Sequence, residues 1–254
     1  MRKTNGFSLI ELMVALGVLT IIATVAVPKV QVWNARNRGL QAVVEILSDF
    51  SKARSIAGYT VVGDETNGKI EIPVDVDNAS AGTMPVYIGV RLQTAMVFRA
   101  HEYAIYQKDT MTVDDWADAK VLKKNRLPES VFIVYINKTQ FNYSSISPSA
   151  AANDVSKRLV FASNGLVKQQ YSNSNSSLSE RPAEGDSISC GGKPTPMNNL
   201  VFTAIVKSKI AASGDSVWYK LDIDRAGEYF ICMAFGTDSY SDTIFTSSGN
   251  PLSI

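Results

Sequence analysis

Residues 7–27 read FSLIELMVALGVLTIIATVAV, 21 apolar or small residues with one exception, Glu11. As a helix rising about 1.5 Å per residue, the run is roughly 30 Å long, which matches the hydrocarbon core of a bilayer. Arg2 and Lys3 precede it and Gly6 stands at the junction. A secretory signal would couple a shorter apolar region to a small-x-small site at its far end. Here the expected cut falls ahead of the run, so the run is retained. A carboxylate in a membrane helix costs on the order of 2.5–3.5 kcal/mol at its centre and less near the headgroups. Glu11 is therefore the anomaly in the stretch. One reading is a polar residue tolerated near the interface.

The remainder has to be a folded body. A chain of 254 residues holds one domain beside a helical stalk, or at most two small domains, and 45% apolar content is enough for a core. A formal net charge of +1 gives no nucleic-acid footprint. A mean hydropathy near zero averages the apolar start with a polar remainder, which predicts a soluble body. Loop charge orients the span poorly, because Lys29, Arg36 and Arg38 crowd the end opposite Arg2 and Lys3.

Pro28 is not expected to end the helix. Residues 29–39 are polar and mixed, with Trp33 at interface height. Apolar positions then recur at 40, 43, 44, 47, 50, 53 and 57, a helical face, with Gly58 as C-cap. The pattern predicts one helix from Phe7 to about Ala57, roughly 75 Å long, with Gly17 and Pro28 as points of bending. Strands are predicted at 60–62, 69–74, 86–93, 96–107, 131–136 and 200–207. Hairpins are predicted at 158–171, turning at Asn164-Gly165, and at 219–233, turning at Ala226-Gly227. A short helix is expected between Thr112 and Asn125, and Ser-, Asn- and Ala-rich loops at 142–156 and 172–187.

With Arg2 and Lys3 upstream, the motif G-F-S-L-I-E-L at positions 6–12 resembles the class III leader of type IV prepilins and type II secretion pseudopilins. The resemblance covers about the first 30 residues. It implies cleavage by a prepilin peptidase between Gly6 and Phe7, N-methylation of Phe7, and Glu11 as the fifth residue of the mature chain. Pro28 falls where such chains often carry a helix-kinking proline. It further implies an α+β fold, with a long helical spine packed on a mostly antiparallel β domain. The expected parts are a leader (1–6), a helix (7–58, of which 7–27 spans the membrane or fills a filament core) and a β-rich domain (59–254). The implied route runs from single-pass inner-membrane precursor, leader in the cytoplasm, to pilus or pseudopilus in the periplasm or at the cell surface. Partners would be other pilin or pseudopilin subunits and an inner-membrane assembly platform. A freed α-amine is positive near neutral pH, so Glu11 is expected to pair with the Phe7 amine of a neighbouring subunit. Short matches late in the chain and at the helix end, FSKARSIAGYTVV, are similar to the pseudopilin-H and FimT-like minor pilins.

Cys190 and Cys232, in a domain outside the inner membrane, favour a disulfide closing roughly 40 residues, with two unpaired thiols as the alternative. Zinc is not expected, because the single histidine, His101, is far from both thiols in sequence. No cofactor is expected. Asp75 with Asp77, Asp222 with Asp224, and Asp238 with Asp242 are weak calcium candidates, since alternating Asp residues more often line a solvated strand face. Lys120, Lys123, Lys124 and Arg126 read as a solvated helix face, with DNA contact as the lesser reading. Tyr103, Tyr106, Phe132 and Tyr135 read as packing on one sheet face, and His101 as packing or surface. Nucleophile elbows, phosphate-binding glycine loops and HExxH are absent from the sequence. The reading is a structural subunit and not an enzyme, first a minor pilin or pseudopilin. The alternatives are a major pilin and a membrane-anchored binding protein that never polymerises, to which an intramembrane carboxylate would bring nothing.

Overall fold

The computed structural model describes residues 8–58, 60–61, 69–73, 83–87, 90–109, 119–141, 157–162, 165–172, 178–194, 196–197, 199–211 and 213–252. Helix α1 runs unbroken from Leu9–Gly58, with Pro28 inside it. Among the described residues fifteen strands follow: β1 (Thr60–Val61), β2 (Lys69–Pro73), β3 (Thr83–Tyr87), β4 (Val90–Phe98), β5 (Glu102–Asp109), β6 (Lys120–Arg126), β7 (Val131–Ile136), β8 (Thr139–Gln140), β9 (Lys157–Phe161), β10 (Val167–Ser172), β11 (Leu178–Pro182), β12 (Leu200–Lys209), β13 (Asp215–Asp224), β14 (Tyr229–Thr237) and β15 (Asn250–Leu252). A short helix α2 (Thr243–Ser248) precedes the last strand. One sheet has the order β11-β10-β9-β4-β5-β6, with β1 also on β4; the second has the order β15-β14-β13-β12-β7-β8; β2 and β3 pair separately. Every pairing is antiparallel. The class is the expected α+β.

The second half of α1 lies between the two main sheets, packing on β4 and β9 of one and on β7, β12 and β13 of the other. Its buried apolar side chains are Ala35, Ala42, Val43, Ile46, Phe50, Ala53 and Ala57. This stripe is rotated from the one read in the sequence. Ile46 replaces Leu47 at its centre, Leu40 and Leu47 are only partly buried, and Val44 is exposed. A helix held between two sheets buries the residues that meet β4 and β9 on one side and β7, β12 and β13 on the other, and Ile46 rather than Leu47 is among them. Phe50 fills the wedge, with ring centroids 5.0 Å from Phe161 on β9 and 5.1 Å from Phe202 on β12.

Two close approaches fix the docking. A Cβ at Gly39 would lie 2.4 Å from Cε2 of Tyr219, whose hydroxyl donates to the Arg36 carbonyl at 2.6 Å. At the far end Arg54 donates to the Arg225 carbonyl at 2.8 Å, beneath the hairpin turns at Gly165 and Gly227, both with positive φ. Those are the two hairpins the sequence predicts. The long strand expected at 96–107 is instead the end of β4, a turn at Arg99–His101 and β5, closed by Arg99 N–H donating to the Glu102 carbonyl. β11 forms within the expected loop 172–187.

The helix expected up to Asn125 is also corrected: 120–126 is strand β6, and 110–118 and the loop 142–156 lie outside the described residues. Pairing with β5 and a polar contact to α1 outweigh the local helix signals. From β6, Lys123 Nζ donates to both oxygens of Asp49, at 2.9 and 2.8 Å, and Asn125 donates to Asp49 at 2.8 Å. The Tyr103 hydroxyl also donates to Asp49 at 2.8 Å. A carboxylate 3% exposed is thus met by three donors, which offsets its desolvation.

The outer face of the second sheet carries a smaller core: Val134, Tyr135, Ile188, Cys190, Ile205, Trp218, Cys232, Ala234, Ile244 and Phe245. The strap 183–194 and α2 cover it. Cys190 is bonded to Cys232, a separation of 42 residues. Beside that disulfide, Lys220 and Asp222 are fully buried as an ion pair 2.6 Å apart. Lys220 also donates to the Ile188 carbonyl of the strap, and Thr203 donates to Asp222 at 3.0 Å. Burial pushes the Asp222 carboxyl up to about 6, against the opposing pull of Lys220 and Thr203.

Two stability outcomes follow from this packing. Gly39→Ala should lower the denaturation midpoint, because overpacking costs about 1–3 kcal/mol and exceeds the roughly 1 kcal/mol by which a helix prefers alanine. A midpoint that rises would mean the Tyr219 ring yields freely. Lys220→Met should cost about 3–5 kcal/mol by leaving a buried carboxylate uncompensated, whereas Lys220→Met with Asp222→Leu should recover most of it in urea denaturation. Equal losses for the single and double variants would show that the pair is not what holds the strap.

Candidate functional site: the exposed half of the N-terminal helix

α1 divides at about residue 31. Beyond it one face is buried; before it, residues 8–30 are exposed throughout, including Leu9, Ile10, Met13, Leu19, Ile21 and Val25. The projecting part, 9–30, is about 33 Å of helix. It is long and apolar enough to cross a membrane, and none of it is buried against the domain. An apolar surface of this size left open marks a lipid or protein interface. Its hydroxyls are turned inward: Thr20 donates to the Leu16 carbonyl and Thr24 to the Ile21 carbonyl, both at 2.7 Å. These bonds let both threonines sit in an apolar environment. Gly17 has nothing within 4 Å, so a neighbouring helix could approach its backbone there. Pro28 carries no N–H, and the Thr24 carbonyl one turn earlier loses its helical donor.

Glu11 sits in the first turn and accepts from the Ser8 backbone N–H at 3.1 Å. Ser8 immediately precedes the helix and Glu11 is its third residue, so the contact is the carboxylate half of a capping box. The spacing S-x-x-E was present in the sequence and carries this role directly. The negative charge also faces the positive end of the helix dipole. Gly6 and Phe7 lie outside the described residues.

The structure scatters the other singled-out residues. Lys123 turns to α1, and Lys124 pairs with Glu102 at 3.2 Å, so the basic set on β6 divides between two faces. Tyr103 packs under α1 while Phe132 and Tyr135 lie toward the outer face of the second sheet, so these aromatics do not share one sheet face. Among the acids, Asp222 pairs with Lys220, and Asp238 with Lys207 and Lys209 at 3.1 and 3.3 Å. Asp224 accepts from the N–H groups of Gly227 and Glu228, and Asp242 from the Tyr240 hydroxyl. Asp75 and Asp77 lie outside the described residues. Among the described residues no three His, Cys, Asp or Glu side chains converge as a metal-binding group would. His101 stands in the β4–β5 turn with its ring edge-on to Phe132, centroids 4.5 Å apart.

Comparison with known proteins agrees with this division of the helix. Residues 1–27 match the family model of the prokaryotic N-terminal methylation motif. Two fimbrial proteins of Pseudomonas aeruginosa are each 32% identical over 68 residues, 26% of this chain and 44% of theirs. The chain thus spans less than half the length of the curated relatives it matches. No solved structure matches significantly. With the methylation motif leading into a helix whose first half is left bare and whose second half is clasped by an antiparallel β domain, the chain is type IV pilin-like.

Proposed function

We propose that this chain is a structural subunit of a type IV pilus or a type II secretion pseudopilus, with no enzymatic role. The observation that carries the reading is the exposed apolar helix 9–30 placed directly behind a methylation motif. Before assembly that surface lies in the inner membrane with the leader in the cytoplasm. Prepilin peptidase cuts between Gly6 and Phe7, Phe7 is N-methylated, and an assembly platform draws the helix into a bundle of other subunits. Membrane and bundle are both apolar, so the transfer keeps the helix out of water throughout. Assembly of this kind is heterologous and grows without closing.

Glu11 supplies direction. Its bond to the Ser8 N–H leaves a carboxylate able to accept more. The methylated amine of a neighbouring Phe7 is the partner of opposite charge at the end of the bundle where Glu11 lies. The match covers a smaller share of this chain than of its fimbrial relatives, so this chain is the longer, which favours a minor subunit that starts or caps a fibre.

Peptide mass spectrometry of sheared, purified filaments should find an N-methylated peptide beginning at Phe7. Trace abundance beside another subunit assigns the minor role, and dominance assigns the fibre's building block. An intact Met1 terminus confined to membranes would instead identify an anchored binding protein and refute the filament reading. Separately, Glu11→Ala should insert in the membrane at wild-type level yet be depleted at least tenfold from filaments. Normal incorporation of that variant would exclude pairing with the neighbour's amine.

A further inference from the structure

Where the two main sheets meet, the β4–β5 turn, the end of β6 and the start of β7 enclose an open groove of about 700 Å³. It is lined by His101, Glu102, Lys124, Arg126, Glu129 and Phe132, with Leu127 in its floor. That volume falls within the range of sites that hold small organic ligands. Leu127 and Phe132 are 4% and 7% exposed, so the floor is apolar and closely packed. Around it the charges do not balance. Arg99 and Lys124 share one carboxylate, Glu102, at 3.1 and 3.2 Å. Lys207 and Lys209 share Asp238, and both ammonium groups lie within 5.5 Å of the Phe132 ring centre. Arg126 adds a guanidinium that no described residue hydrogen-bonds, against Glu129. The lining itself holds two cations, Lys124 and Arg126, and two carboxylates, Glu102 and Glu129. Behind it Arg99, Lys207 and Lys209 outnumber Asp238, and the Arg126 guanidinium is the group best shaped to take two oxygens at once.

His101 adds a second, independent observation. Its Nε2 has no hydrogen-bond partner, although this atom is closed off from bulk water. Burial, and then the nearby Arg126 charge, hold its pKa below the ordinary value, with Glu102 opposing. Held below an ordinary value that is already under 7, the ring stands neutral at pH 7, and negative charge arriving in the groove would raise its affinity for a proton.

We propose that this groove binds a small oxyanion, a carboxylate or phosphate carried on an apolar body, with Arg126 taking the oxyanion and Phe132 and Leu127 taking the body. Bound negative charge offsets Arg126 and lets His101 accept a proton, so binding strengthens as pH falls. The groups that set this linkage are His101, Arg126, Lys124, Glu102 and Arg99 on the first sheet and its turn, Glu129 on the connection, and Lys207, Lys209 and Asp238 on the second. The site is independent of the assembly helix, so it stands or falls apart from the filament reading.

The chain has one histidine, so 13Cε1-histidine labelling of the full chain in detergent gives one ring resonance that reports this groove alone. Titration with benzoate should move that resonance saturably, and the affinity should rise at least threefold from pH 7.5 to 5.5. Benzyl alcohol, with the same body and no charge, should not produce a saturable shift. Inorganic phosphate distinguishes the two anions: tighter binding than benzoate assigns a phosphate head, and weaker binding assigns a carboxylate on its apolar body. Arg126→Gln should weaken binding by about tenfold or more, and Glu129→Gln, which removes a like charge, should tighten it. No saturable shift with either anion, or unchanged affinity in Arg126→Gln, or weaker binding in Glu129→Gln, would overturn the proposal.

Discussion

The β domain is built around one wedge: the edge of α1 that carries Ile46, Phe50, Ala53 and Ala57, driven between two antiparallel sheets. Phe50 touches a phenylalanine on each sheet, and Phe202 in turn meets Phe98 at 5.6 Å, so helix and both sheets share one aromatic cluster. Both sheets turn inner apolar rows toward that edge, and with it they form one continuous core. Without the helix both would expose their inner rows, and without the sheets the helix would expose an apolar stripe along its second half as well. Burial of that edge is the favourable term that the remaining contacts refine.

The polar contacts then decide which of many apolar dockings is adopted. Asp49 accepts only if β6 brings Lys123, Asn125 and β5 brings Tyr103 to the same turn of α1. Asn137, buried with φ 36°, donates to the Val201 carbonyl, accepts from the Thr203 N–H, and takes a bond from Gln169 of the other sheet through its own carbonyl. On the outer face Lys220 and Asp222 tie the strap beside the disulfide. Each is costly if half made and nearly neutral if complete, so such groups select a register more than they add stability.

One continuous helix therefore serves two environments. Its second half is finished, every buried position being matched by the domain. Its first half is left apolar and bare, with its threonines folded back on the backbone and its one acid held at the cap. Because the domain clasps only the part beyond residue 31, the bare part can be held by lipid or by other helices without change in the domain.

What the sequence alone determined is what depends on near neighbours. The apolar run 7–27, the two glycine-turned hairpins and strands such as 131–136 and 200–207 are properties of spacing within a few residues, and they could be read there. Tertiary structure decided the rest. Residues 120–126 carry the signals of a helix end, yet they form a strand because β5 and Asp49, 74 residues from Lys123, offer more than a helix could. The buried stripe of α1 turned by one position because contacts to two sheets, and not the apolar period alone, set which residues are covered. The contacts of Lys220 with the Ile188 carbonyl and of Asp222 with Thr203, and the groove around Arg126 and His101, bring together residues distant in sequence. Local pattern records the period of an element, while a charge's partner is fixed only when the elements are packed.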